Sequence, residues 1–120
     1  MALLFILGRV ILGGYFIYNG FNHFKHVSNM TGYAAMKKVP APKAAVIVGG
    51  AMMILGGLAL ILNMYPIIGM ILIGLFLIPT TFMMHQFWKE SDGMARMNER
   101  INFTKNLALI GALLLIISLG

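Results

Sequence analysis

Residues 44–62 carry no polar side chain at all, and this run is the strongest constraint that the sequence places on the fold. About 20 apolar residues in helical form span the hydrocarbon core of a bilayer, which is roughly 30 Å thick. A segment there must satisfy its own backbone hydrogen bonds, so it is a helix. Three further apolar runs lie at residues 2–24, 66–87 and 103–120. The sequence therefore predicts an all-α integral membrane four-helix bundle, with residues 1–120 forming a single transmembrane domain.

The composition agrees with a membrane protein. Of the 120 residues, 60% are hydrophobic and 10% are charged, whereas soluble domains carry about 25% charged residues. The chain has no cysteine, which excludes disulfides, thiolate metal sites and cysteine redox chemistry. The net charge of +6 could indicate nucleic acid, but the basic residues lie between the apolar runs, where anionic headgroups attract them. We therefore expect the lipid bilayer as the environment and no nucleic-acid partner.

Lys and Arg are distributed very unevenly among the connecting segments. The termini and the second loop hold none, whereas eight of the nine lie in or beside the first and third loops, namely Lys25, Lys37, Lys38, Lys43, Lys89, Arg96, Arg100 and Lys105. Basic residues accumulate in the cytoplasmic loops of membrane proteins. The pattern predicts a multi-pass protein of the cytoplasmic (inner) membrane, with both termini on the non-cytoplasmic side.

The two halves of the sequence are weakly similar. Four residues of the first apolar run recur 61 positions later in the third, where Gly8, Gly13, Ile17 and Phe21 correspond to Gly69, Gly74, Ile78 and Phe82. A duplicated two-helix hairpin, related by an axis along the membrane normal, would produce this pattern. Chance matches in glycine-rich apolar sequence would also produce it, and both explanations stay open.

Glycines mark two faces of the second apolar run. At helical spacing, Gly49 and Gly56 share one face, and Gly50 and Gly57 share the next. Small residues at such positions let neighbouring membrane helices approach closely. We interpret these glycines as packing positions rather than as part of a phosphate-binding or nucleotide-binding loop.

Polar side chains gather where the apolar runs meet the basic loops. The first run ends in a polar stripe, and a stripe at one end of a membrane helix is expected to face the bundle; it comprises Tyr15, Tyr18, Asn19, Asn22, His23 and His26. The third run ends with the sequence HQFW, and the fourth begins with several polar residues on one face. We predict one shared pocket at this end of the bundle, formed by Asn22, His23, His85, Trp88, Lys105 and Asn106.

Three interpretations of this polar cluster are open. Trp, Tyr and His side chains commonly anchor helices at headgroup depth. A small-molecule site between helix ends is the second interpretation; a quinone would suit it, because His23 and His85 could donate hydrogen bonds to its carbonyl groups. A metal or haem site is disfavoured, since His23 and His26 supply only two ligands and a catalytic zinc usually has three from the protein.

Arg9 is a charge within an apolar run, and intramembrane charges are functional candidates. No Asp or Glu lies in any apolar run to pair with it. Its side chain could reach the outer headgroups, nearby carbonyl groups or the turn at residues 63–65. The alternatives are an anionic ligand and a carboxylate on a partner subunit.

Signatures of soluble enzymes are missing from the sequence. The chain has no Gly-x-Ser-x-Gly motif, no phosphate loop, no dinucleotide fingerprint and no pair of carboxylates at membrane depth. Acid–base or nucleophilic catalysis by this chain alone is therefore poorly supported, and we lean against an enzyme while leaving the question open.

Several motifs resemble those of the DoxX family. They are Gly8-Arg9, YNGFNHF at residues 18–24, VPAP at 39–42, HQFW at 85–88 and NFTKNLALIG at 102–111. The resemblance covers nearly the whole chain, and the last motif is the most specific. Many members carry a Glu in the second span just before the Gly-Gly pair. The corresponding position here is Met53, so a pairing of Arg9 with such a Glu is in doubt.

The resemblance implies a four-helix membrane protein of prokaryotic type. The namesake of the family is the small membrane subunit linked to a thiosulfate:quinone oxidoreductase and terminal oxidase. It therefore implies an accessory or quinone-associated subunit of a larger redox or respiratory complex, with other membrane subunits as partners. The alternative is a stand-alone quinone-linked oxidoreductase or a carrier of a small lipophilic molecule. A carrier should have a continuous cavity between its helices, and a subunit should have a well-packed interior and an apolar docking face.

Overall fold

Five α-helices and one 3₁₀ turn make up the part of the chain, residues 2–119, that the computed structural model describes. In chain order they are α1 (Ala2–Lys25), α2 (Val27–Met36), α3 (Pro42–Leu62), α4 (Pro66–Met84), the 3₁₀ turn (Phe87–Lys89) and α5 (Gly93–Leu119). Four of the helices, α1, α3, α4 and α5, are long and apolar enough to cross a membrane. The prediction of an all-α membrane-spanning four-helix bundle is confirmed.

Prolines set the start of two membrane-spanning helices. Pro42 and Pro66 occupy the first turns of α3 and α4, where the missing N–H costs no helical hydrogen bond. The connection between these helices covers only residues 63–65, so they run antiparallel as neighbours. Pro79 lies inside α4 and has no N–H to donate to the Leu75 carbonyl.

The last helix is longer than the sequence suggested. We expected the last span to begin at residue 103. The helix instead begins at Gly93 and is capped by Asp92, whose Oδ2 accepts a hydrogen bond from the Ala95 N–H at 2.9 Å. From there α5 continues unbroken to Leu119. Its buried residues Glu99, Asn106 and Leu113 recur at intervals of seven, so one face stays turned inward along its whole length.

The short helix α2 follows α1 after a single residue, His26. The His26 N–H donates to the Asn22 carbonyl at 2.9 Å, and the Met30 N–H donates to the His26 carbonyl at 3.0 Å. These backbone bonds carry the helical pattern from α1 into α2, and no side chain caps α2. The helix packs on α1 and α3, and the residue after it, Lys37, reaches Glu99 of α5. It therefore crosses one end of the bundle. We call this the basic end, because it carries the Lys- and Arg-containing loops.

Glycines bring α3 into close contact with both of its neighbours. A Cβ atom on Gly20 would lie 2.6 Å from the Gly50 carbonyl oxygen, and one on Gly13 would lie 2.7 Å from that of Gly57. On the opposite side, a Cβ atom on Gly56 would lie 2.7 Å from a backbone oxygen of α4. Real atoms do not approach so closely, so only glycine fits these positions. The prediction that both glycine faces of α3 are packing faces is confirmed.

The four long helices pack as a row. Helix α1 packs on α3, α3 on α4, and α4 on α5, whereas α1 and α5 share no extended contact within residues 2–119. The buried apolar core runs through all four helices and comprises Phe16, Met53, Leu60, Met70, Ile73, Leu77 and Leu113. Because the two ends of the row do not close on each other, space is left between α1 and α5.

Candidate functional site

A cavity of about 600 Å³ occupies the basic half of the bundle. All five α-helices contribute to its wall, and α1 and α5 line it from the two ends of the row. Its polar side chains are Tyr15, Asn19, His23, Asn29, Tyr33, Thr80, His85, Asn102, Lys105 and Asn106. The other lining residues are apolar, glycine or proline. Ligand pockets are commonly about 300–1,000 Å³ and mostly apolar with a few polar groups, so the cavity suits a small organic molecule.

His23 is held in a fixed orientation on the inward face of α1. The side chain is 8% exposed, and its Nδ1 donates a hydrogen bond of 2.8 Å to the Val46 carbonyl. The ring also packs edge-on against Phe76, with 5.3 Å between centroids. Because a carbonyl oxygen only accepts, Nδ1 carries the proton. The Nε2 atom of the neutral ring is then a hydrogen-bond acceptor.

His85 belongs to an ion-pair cluster made by Lys37, His85, Glu90 and Glu99. Lys37 Nζ lies 2.9 Å from Glu99 Oε2 and 3.0 Å from Glu90 Oε1. His85 Nδ1 makes a longer contact of 3.4 Å with Glu99 Oε1. Glu99 is only 5% exposed, and a buried carboxylate persists only when it is paired. The cluster therefore ties α2 and the α4–α5 connector to α5.

Burial and the ion-pair cluster together shift the pKa values of Tyr33 and Lys37 at the basic end. Burial raises the pKa of Tyr33 to about 12, and the neighbouring Glu99 carboxylate adds to this effect. Burial by itself would lower the pKa of Lys37, but hydrogen bonds to Glu99 and Glu90 raise it above its usual value. At neutral pH Tyr33 is therefore un-ionised and Lys37 is charged, so the link between α2 and α5 is permanent over the physiological range.

Four of the six residues predicted to form a pocket line the cavity, and they come from α1, from α5 and from the residue that follows α4: His23, His85, Lys105 and Asn106. Asn22 and Trp88 are not among its lining residues. Helix α4 ends at Met84, so the helical spacing that aligned Trp88 with His85 does not continue. Trp88 is 47% exposed and packs edge-on against Phe87 and Phe103.

The polar stripe predicted on α1 is only partly turned inward. The buried positions of α1 are Gly13, Phe16, Gly20 and His23. Tyr18 and His26 are exposed, and Asn22 is half-buried at the edge of that face. The polar residues lie around the border of the packing face because the glycines that contact α3 occupy its centre.

A protein-family model, DoxX, matches residues 4–86 of the chain. The chain belongs to the DoxX family. The match takes in α1 to α4 and ends at Gln86, so the connector and α5 lie outside it. The unmatched part includes residues 102–111, which carry the motif that we considered the most specific in the sequence. No curated protein and no solved structure matches the chain.

Arg9 of this DoxX-family chain contacts the backbone of α3. Its Nε and Nη2 donate hydrogen bonds of 3.0 Å each to the carbonyl oxygens of Leu60 and Ile61, and the guanidinium lies over the Phe5 ring at 5.1 Å. The two carbonyls belong to the last turn of α3, where the regular helical donors run out and where the macrodipole favours a cation; the Leu60 carbonyl also accepts from the Asn63 N–H at 3.3 Å. Arg9 therefore caps α3.

Sequence reasoning missed the contribution of Glu99 to the site of this DoxX-family protein. The predicted last span begins at residue 103, so Glu99 fell outside it. A single continuous helix would have put Glu99 one heptad before Asn106, on the inward face. Within residues 2–119, no three His, Asp or Glu side chains converge as a metal site.

Proposed function

We propose that this DoxX-family protein binds a quinone, or the corresponding hydroquinone, in the cavity between α1 and α5. The observation that carries the proposal is the cavity itself, with about 600 Å³ of space, a largely apolar wall and polar groups from several helices. A quinone combines a flat apolar ring and an apolar tail with oxygen atoms that form hydrogen bonds. The apolar parts of a quinone would thus contact the apolar residues of the wall, and its oxygen atoms would bond to the polar ones.

The polar groups of the cavity match both oxidation states of such a ligand. In its neutral form His23 offers Nε2 as an acceptor, and His85, whose Nδ1 faces Glu99, offers the same atom. Two acceptors suit the hydroxyl groups of a hydroquinone. Lys105 and Asn106 supply N–H donors, which suit the carbonyl groups of a quinone. The sequence had led us to expect that the histidines donate hydrogen bonds to the ligand. Because their Nδ1 atoms are already engaged, the Nε2 atoms of the neutral rings would accept hydrogen bonds instead.

The surroundings of the cavity favour a ligand that arrives from the bilayer. Helices α1 and α5 line the cavity without an extended contact with each other, whereas α2 and the ion-pair cluster cover the basic end. A lipid-soluble molecule that enters between α1 and α5 would not have to pass the ion-pair cluster. A continuous cavity was the feature expected of a protein that carries a ligand. We therefore rank ligand binding above a role as a closely packed scaffold.

Binding of a short-chain benzoquinone and of its hydroquinone to the purified protein in mild detergent tests the proposal. Calorimetric titration should give saturable binding of both compounds. Lys105→Ala should lower the affinity for the quinone, and His85→Ala should lower the affinity for the hydroquinone. Each loss should be roughly tenfold, because a hydrogen bond of this kind contributes about 1.5 kcal/mol. Thermal unfolding of each variant should be measured in parallel.

Matched controls are available at the same end of the bundle. Lys25→Ala and His26→Ala remove the same side chains from exposed positions that do not line the cavity. Both should bind as the unmodified protein does. Absence of saturable binding, or equal affinities for the cavity variants and the controls, would overturn the proposal and leave anchoring at the membrane surface as the role of the polar residues.

A further inference from the structure

A second recess lies at the basic end, between the end of α2 and the end of α4. Its volume is about 350 Å³, and Met83 is the one lining residue that it shares with the large cavity. Three lysines, Lys37, Lys38 and Lys89, contribute to its wall together with a single carboxylate, that of Glu90. The recess is therefore separate from the proposed quinone site in both position and chemistry.

The charges of the recess are unbalanced. The Glu90 carboxylate is already engaged by Lys37, whose amine also contacts Glu99. Lys38 and Lys89 have no ion-pair partner among the described residues. The three lysines of the recess thus face two carboxylates, Glu90 in its wall and Glu99 behind it, and the remaining excess of positive charge favours an anionic ligand.

The backbone at Lys38 takes a conformation that glycine usually occupies. The Val39 N–H donates to the Ala34 carbonyl at 3.1 Å, and the Lys38 N–H donates to that of Ala35 at 3.0 Å. This pattern is a Schellman motif, which ends a helix with one left-handed residue and strongly prefers glycine there. Lys38 takes that position with a φ of 63°. Backbone strain of this kind persists where the surroundings or the function require the residue.

Two methionines give the recess an apolar border. Met83 is in the last turn of the membrane-spanning helix α4, and Met36, at the end of α2, is 78% exposed. Exposed thioether side chains at a membrane boundary can contact an acyl chain. We propose that this recess binds the headgroup of an anionic phospholipid, with its phosphate at Lys38 and Lys89 and an acyl chain along Met83 and Met36.

The test counts lipids on the purified protein by native mass spectrometry during titration with phosphatidylglycerol or phosphatidylcholine. The unmodified protein should bind phosphatidylglycerol more tightly. The double variant Lys38→Gly/Lys89→Gln should bind it roughly tenfold more weakly, since each basic residue near an anionic lipid raises the affinity roughly three- to fivefold. The control Lys25→Gln/Lys43→Gln removes the same charge from exposed positions outside the recess and should change affinity by less than about twofold.

The single variant Lys38→Gly separates lipid binding from folding. Glycine fits the left-handed position better than lysine, so this variant should unfold at an equal or higher temperature while it binds phosphatidylglycerol more weakly. Equal losses in the two double variants would indicate general surface attraction and would overturn the proposal. It would also be overturned by equal affinities for the two lipids, or by inorganic phosphate that displaces phosphatidylglycerol, which would indicate a site for a soluble anion.

Discussion

The interface between α1 and α3 and the interface between α4 and α5 join similar helices in different ways. Across the first, Gly13 and Gly20 meet the backbone of α3 at distances that leave no room for a methyl group. Across the second, a Cβ atom on Gly74 would be 3.9 Å from Leu113 Cδ1, an ordinary van der Waals distance. The first interface is made by backbone surfaces and the second by side chains.

This difference has a physical consequence for the cavity. Lipid tails solvate apolar side chains as well as the protein interior does, so membrane helices associate through close packing and polar contacts. Helices α1 and α3 have close packing along most of their length. Helix α5 relies on Leu113 in the core, on Phe103 against neighbouring rings, and on the ion pair of Glu99. We therefore expect α5 to move more readily than α1 when a ligand enters between them.

The largest effect is expected from enlarging a residue in the α1–α3 interface. In Gly57→Leu the new side chain would start from a Cβ atom 2.6 Å from the Gly13 carbonyl oxygen. Because the obstacle is backbone, the helices must separate along their length, and we expect a loss of at least about 3 kcal/mol in the free energy of unfolding. Unfolding in detergent, followed by circular dichroism, measures this loss.

The matched control enlarges a glycine of α5. Gly111→Leu adds the same side chain where nothing lies within 4 Å, so the free energy of unfolding should change by less than about 1 kcal/mol. Because Gly111 is on the exposed face of α5, equal losses in both variants would mean that the loss in Gly57→Leu does not come from the contact with α1. If Gly57→Leu is harmless, the close approach of α1 and α3 is not needed for folding.

Much of this fold could be predicted because each element is determined locally. Apolar runs of the length of a bilayer, Pro42 and Pro66 at helix starts, and the paired glycines of α3 each act within a few residues. The glycines of α1 were less visible, since Gly13 and Gly20 acquire their role only opposite Gly57 and Gly50. Whether the two halves arose by duplication stays a prediction, as do the orientation in the membrane and the inner-membrane location.

The candidate site was harder to predict because it depends on contacts between distant segments. The proton position on His23 follows from the Val46 carbonyl, and no spacing in the sequence brings these two residues together. The pairing of Lys37 with Glu99 requires α2 to cross the bundle and α5 to begin well before the membrane. The length of a helix beyond its apolar part is not encoded in hydropathy, and Glu99 was missed for that reason.

An intermediate effect is expected from breaking the polar contact that holds α5 at the basic end. Lys37→Met leaves the buried Glu99 carboxylate without its main partner, and we expect a loss of about 2–3 kcal/mol in the free energy of unfolding. The control Lys25→Met removes an exposed lysine of the same end and should cost less than about 0.5 kcal/mol.

A second variant shows whether the loss comes from an unpaired charge. Adding Glu99→Gln to Lys37→Met removes the buried negative charge, so most of the lost stability should return, as measured in the same denaturation experiment. The single variant Glu99→Gln is measured as well. If the double variant loses as much free energy of unfolding as the two single variants lose together, Lys37 and Glu99 act independently and α5 is held by its apolar contacts.

The smallest effect, and one of opposite sign, is expected from adding a single methyl group to each interface. In Gly74→Ala the methyl group would lie 3.9 Å from Leu113 Cδ1, an ordinary van der Waals contact, and alanine favours a helix over glycine by up to about 1 kcal/mol. This variant should therefore be slightly more stable. Gly13→Ala gains the same helix propensity, but its Cβ atom would meet the Gly57 carbonyl oxygen at 2.7 Å, so it should be less stable. Thermal unfolding midpoints that move in opposite directions would support a backbone contact between α1 and α3 and a side-chain contact between α4 and α5. Midpoints that both fall would contradict this difference between the two interfaces.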